Sequence, residues 1–154
     1  MEYGPRIEAA LALIRATPGY AGVADDLARL RDRGAIRFSP RLPDRAHAGL
    51  TGTITLGPES LEGDVVGLAE TLVHEHYHLR RQNPLAKTLS FWKGVARRSP
   101  VMRDYERPAY QAAVDFLRAV ERSAPEHAAS AVAERGAVAE AFAAHYGVPG
   151  LDAD

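Results

Sequence analysis

Three of the chain's six histidines fall within five positions, in Leu72-Val73-His74-Glu75-His76-Tyr77-His78-Leu79. In a helix advancing 100° per residue, His74 and His78 stand one turn from each other and about 40° apart around the axis. His76 falls about 200° from His74, beside Val65, Ala69, Leu72 and Leu79, and is expected to pack or hydrogen-bond away from the pair. The other side carries Gly67, Glu70, Thr71, His74, His78 and Arg81. A strand would put all three imidazoles on one side, but it would mix the two faces, and Glu70, Arg80 and Gln82 are poor strand formers. The helix is the better reading, and it spells His74-Glu75-x-x-His78.

That spacing has a specific chemistry. Two imidazoles one turn apart can each present a nitrogen to one zinc ion, and the glutamate between them is placed to reach a water on that ion. Zinc lowers the pKa of such a water, and Glu75 can then act as general base.

Two histidines do not complete a catalytic zinc site, which usually has a third protein ligand. The extended metzincin pattern requires glycine at 81 and histidine at 84, where this chain has Arg81 and Pro84. A carboxylate from a later helix is the other common solution. Glu106 shares a helix face with Ala109, Tyr110, Ala113 and Leu117, small or apolar neighbours among which a carboxylate needs a partner. Glu106 is therefore the expected third ligand. Asp104, Asp115 and Glu70 are rivals, with Asp115 off that face and Glu70 better suited to support a ligand than to be one.

The pattern His74-Glu75-His76-Tyr77-His78 on one helix and Glu106-x-x-Ala109-Tyr110 on a later one resembles the gluzincin type of zincin metallopeptidase, in a small single-domain form. The resemblance covers residues 50–117, and Pro108, two residues past Glu106, departs from the pattern. It implies a zinc-dependent peptidase acting on a peptide or protein substrate. It also implies that the strand at 51–56 is the sheet edge holding an extended substrate, with Thr53, Ile54 and Thr55 as binding residues. Acyl transfer further needs a donor for the developing oxyanion. Tyr110, one turn after Glu106, is the candidate, ahead of Tyr105 and His47.

Several elements must position these residues. Helices are expected at 5–16, with Ile7, Leu11 and Ile14 on one stripe, and at 20–33, with Val23, Leu27 and Leu30 aligned. Alternation predicts strands at 35–39 and 50–56, joined by an irregular, proline-containing loop at 40–49. The His-bearing helix spans 63–82. A short helix carrying Leu85, Leu89, Trp92 and Val95 is expected after Asn83-Pro84. A longer one covers 103–122 with Pro108 near its start, and a capping box, Ser123 with Glu126, opens the last helix, which Gly147 ends. The expected fold is α+β and zincin-like, a single domain over residues 1–154. An N-terminal helical pair (1–34) precedes the strands and the His-bearing helix (35–82), then a helical part (83–154) carrying the third ligand.

Composition narrows the alternatives. With 19 basic against 20 acidic residues the chain has no electrostatic footprint for nucleic acid. It lacks cysteine, which removes thiolate metal sites and disulfides. No run approaches the roughly 18 apolar residues that span a bilayer. The N-terminus does not read as a signal peptide, so the expected location is cytoplasmic. Two other readings remain to be weighed. One is a non-catalytic binding or regulatory module on the same scaffold, with a structural or vestigial metal. The other is a di-iron bundle using Glu75-x-x-His78, which needs a second copy of that motif on another helix, and the chain has none.

Overall fold

The computed structural model describes residues 3–82, 100–147 and 151–152. Helix α1 (Tyr3–Ala16) buries Ile7, Ala10, Leu11 and Ile14, a stripe at i, i+3, i+4 and i+7. Helix α2 (Ala21–Asp32) answers with Ala24, Leu27 and Leu30. Both helices lie where the hydrophobic spacing puts them.

The sheet departs from expectation. Its strands are β1 (Ile36–Phe38), β2 (Ala46–Ala48) and β3 (Ile54–Leu56), in the order β1-β3-β2. β1 is parallel to β3, and β2 is antiparallel to it. β3 is therefore central, with both edges paired, and the edge strand lies inside the segment expected to be an irregular loop. Residues 50–53 do not extend β3. Gly49 N donates to Thr53 O at 2.7 Å, and Gly52 N to Gly49 O at 3.1 Å. Gly52 takes a φ of +73°, so Leu50, Thr51 and Gly52 form the loop of a tight hairpin. Gly57 lets β2 come close, because a Cβ there would stand 2.2 Å from Asp44 O.

A short helix α3 (Pro58–Glu62) leads into α4 (Val65–Arg81). Asp64 caps α4, its carboxylate accepting from Gly67 N at 2.9 Å. From Val66 to Val73 every residue of α4 is buried, its polar side included. It is the central helix, covered by α1 and α2 on one flank and by the two C-terminal helices on the other. These are α5 (Pro100–Ser123) and α6 (Ala128–Tyr146). Leu27, Leu68, Leu72, Phe116 and Leu117 meet in one core around α4. Fully burying a side chain of this kind stabilises by about 1.5–3 kcal/mol.

Pro108 sits inside α5, which begins earlier than expected. The capping box is not formed. Ser123 stays in α5 with its hydroxyl on Ala119 O at 2.8 Å, and a 3-10 turn (Pro125–His127) follows. The N-cap of α6 is His127, without a side-chain cap bond. The helix expected after Asn83-Pro84 lies outside the described residues. No helix among the described residues is long and apolar enough to cross a membrane.

Candidate metal centre

Helix α4 supplies His74, Glu75 and His78, and α5 supplies Glu106. The fully buried Ala109 and Ala113 on α5 keep its contact face small. Glu106 Oε2 lies 3.0 Å from His78 Nε2 and 3.6 Å from His74 Nε2, and the two imidazole nitrogens are 3.1 Å apart. Among the described residues this trio is the one group of three whose ligand atoms converge as a metal site requires.

The spacing fits a metal. A tetrahedral ion with bonds of about 2.0–2.1 Å holds its ligand atoms about 3.3–3.4 Å from one another. The three separations here straddle that value. Two imidazole nitrogens and a carboxylate oxygen form a donor set that takes a divalent transition metal such as zinc or iron.

Charge distribution points the same way. Burial pushes the Glu106 carboxyl up, but hydrogen bonding to His74 and His78 outweighs it and holds the group well below the usual carboxylate range. For His74, burial pulls the imidazole down, yet Glu106, Glu75 and Glu70 together leave it raised. The site therefore favours positive charge.

Glu75 is 7% exposed, and its Oε2 is buried without a hydrogen-bond partner. A buried carboxylate oxygen left unpaired is costly unless something else meets it, such as a water in the cleft. Glu70, one turn before His74, is buried too. It is held by Thr71 Oγ1 at 3.3 Å and by Arg45 Nη1 at 3.7 Å, and burial pushes its carboxyl up.

These groups line a cleft of about 670 Å³ between β2, α4, α5 and α6. Tyr110 lines it as well, its ring edge-on to the His74 imidazole at 4.8 Å. Burial raises the Tyr110 phenol, so it remains an O–H donor. Tyr105 is instead stacked on the His78 ring at 5.2 Å, its phenol pushed up to about 12 by burial and the nearby Glu106 and Glu75.

The rival carboxylates lie elsewhere. Asp104 binds Arg103 at 3.2 Å, and Asp115 binds Gln111 at 3.2 Å. His76 turns away from the centre, its Nε2 3.1 Å from Asp26 Oδ2 on α2. Thr53, Ile54 and Thr55 do not line the cleft, and β3 has no free edge; the expected substrate strand is corrected on both counts.

The strand that does border the cleft is β2, through Ala46 and His47. Gly57 N donates to Arg45 O, and Gly49 N to Thr53 O, both at 2.7 Å. In an antiparallel pair such bonded positions alternate with non-bonded ones. The backbone groups of Ala46 and Ala48 therefore point away from β3, toward the open side. Sequence reasoning missed this strand, and it also missed Arg45, which binds Glu134 at 2.6 Å. Neither carries a local signal, since Ala-His-Ala has no β-branched residue.

A scan against protein-family models finds no match to this chain, and searches of curated proteins and of solved structures find none either.

Proposed function

We propose that the chain is a zinc-dependent peptidase with a zincin-like, gluzincin-type site, in which His74, His78 and Glu106 hold the metal. The observation that carries the proposal is Glu75. A trio that only binds a structural ion has no use for a second carboxylate, buried beside Glu106 with an unpartnered oxygen. A hydrolase needs such a group as general base.

A zinc ion held by the trio supplies a Lewis-acidic centre that makes a water nucleophilic near neutral pH and polarises the substrate carbonyl. Glu75 Oε2 takes the proton that leaves the attacking water and passes it to the departing amine. The Tyr110 hydroxyl donates a hydrogen bond to the carbonyl oxygen as charge develops on it. The outward N–H and C=O groups of Ala46 and Ala48 pair with an extended peptide and lay it across the cleft. Val138 and Ala141 of α6 add apolar lining to the cleft.

The direct test is cleavage of a mixed pool of unstructured peptides, followed by mass spectrometry. The proposal expects new termini from the zinc-loaded protein, none after chelation, restoration by added zinc, and none from Glu75→Gln. Cleavage that survives both chelation and Glu75→Gln counts against it. A non-catalytic module predicts zinc binding with no cleavage in any arm.

A further inference from the structure

Gln82 ends α4, and its side chain turns back one helical turn. Its Oε1 meets His78 Nδ1, and its Nε2 donates to the carbonyl of Tyr105, the residue before Glu106 on α5. We infer that Gln82 is a positioning residue for the metal ligand His78, joining the two helices that carry the ligand set; the inference rests on the metal-site reading above.

The chemistry leaves one arrangement. A backbone carbonyl only accepts, so the amide nitrogen of Gln82 must face Tyr105 O. That leaves the amide oxygen toward His78, and an oxygen there requires a proton on Nδ1. With Nδ1 carrying the proton, the lone pair of the neutral ring is on Nε2, the atom facing Glu106 and His74. Gln82 thus selects the tautomer able to bind metal through Nε2. A ligand's partner on its other ring nitrogen fixes its orientation in this way.

Two further contacts make the device rigid. The Tyr105 ring stacks on the His78 imidazole with an interplanar angle of 12°, setting the ring plane while Gln82 sets rotation within it. Tyr105 O lies in the turn where Pro108 removes a helical donor, the one that would bond to Asp104 O. The bond from Gln82 ties that interrupted turn to the end of α4. His78 and Glu106 are therefore held at their separation by a bridge made outside the metal shell.

The test compares Gln82→Leu, which keeps bulk and loses both bonds, with Gln82→Glu, which can accept from Nδ1 but cannot donate to Tyr105 O. The first readout is nitrogen-15 NMR of the metal-free protein. A His78 Nδ1 proton protected from exchange is expected in the native chain and in Gln82→Glu, and its loss in Gln82→Leu. The second is zinc affinity by competition with a chromophoric chelator. Gln82→Leu should weaken binding by about ten- to a hundredfold, with Gln82→Glu, which keeps the bond to Nδ1 but loses the bridge to Tyr105 O, falling between Gln82→Leu and native. An unprotected Nδ1 in the native chain overturns the inference, as does native-like zinc affinity in Gln82→Leu. Should Gln82→Leu not fold, the native NMR signal and the Gln82→Glu affinity still decide it. If the native chain binds no zinc, the metal reading fails while the NMR result still reports on the hydrogen bond.

Discussion

The Glu106 carboxylate, from a helix that begins at Pro100, stands 3.0 Å from the Nε2 of His78 on α4. This single approach turns a pair of histidines on one helix into a three-cornered site, and most of the consequences below depend on it.

Removing that corner should cost metal before it costs fold. Glu106→Gln keeps the shape and loses the charge. Zinc affinity is expected to fall by more than about a hundredfold, beyond the range typical of outer supporting residues. Chelator competition measures it, and affinity within threefold of native would refute Glu106 as a ligand.

Glu75→Gln should separate binding from chemistry. Zinc stays bound, hydrolysis falls by about 10²–10⁴-fold, and the metal-free protein becomes more stable because the buried charge behind the unpartnered Oε2 is gone. A relief of about 1 kcal/mol raises Tm by roughly 2–4 °C in a chain of this size. A lower Tm in the metal-free variant would show that the native carboxylate is satisfied after all.

The pH dependence follows from His74, whose imidazole is raised despite the opposing effect of burial. A proton competes with zinc for the same nitrogen, so affinity falls as pH drops. The fall should begin above the ordinary histidine value of about 6.5. Without metal the sign reverses: the raised value adds stability that is complete below about pH 6.5 and is lost as pH rises through the folded value. The gain in Tm on adding zinc should therefore grow as pH rises from about 6.5 through the raised folded value. A constant gain over that interval contradicts the assignment.

The edge strand gives a prediction about substrate. Ala46→Pro removes an outward N–H while leaving the bonds to β3 in place, a position where sheets tolerate proline. KM for peptides should rise with zinc affinity unchanged. Equal KM for both proteins would remove β2 from the binding surface.

How much of this was legible in the sequence depends on what carries each signal. The His74/His78 face and the outward turn of His76 follow from helical period alone, and Glu106 stood out as a carboxylate among small residues. The sheet was another matter. Leu50 to Thr53 alternates like a strand, but Gly52 is needed at a positive φ, so the alternation there marks a hairpin loop. Ala46 to Ala48 is a strand by virtue of its partner β3, which no local pattern announces. Ser123 and Glu126 have capping-box spacing, but α5 runs on to Ser123, and its hydroxyl is used within that helix. Gln82 lies one turn past His78, so its reach to the ring was open to inspection; its bond to α5 was not.

Asp64 ties the site helix to the rest of the fold, accepting from Gly67 N and from the Ser130 hydroxyl on α6. Asp64→Ala should cost about 0.5–2 kcal/mol, read by thermal or urea unfolding, without changing zinc stoichiometry. Burial pushes its carboxyl up, but the bonds from Ser130 and from the Gly67 and Val66 amides leave it lowered. Its contribution is thus present above about pH 3.9 and lost as pH falls through the folded value. Equal stability of native and variant at neutral pH would show that the cap is idle.

The most direct measurement is zinc content by elemental analysis after dialysis, for the native chain and for His74→Ala, His78→Ala and Glu106→Ala. One tightly held zinc per native chain is expected, with marked loss in all three variants. A native chain that retains no zinc, or variants that retain as much as the native chain, would contradict a metal centre built from His74, His78 and Glu106.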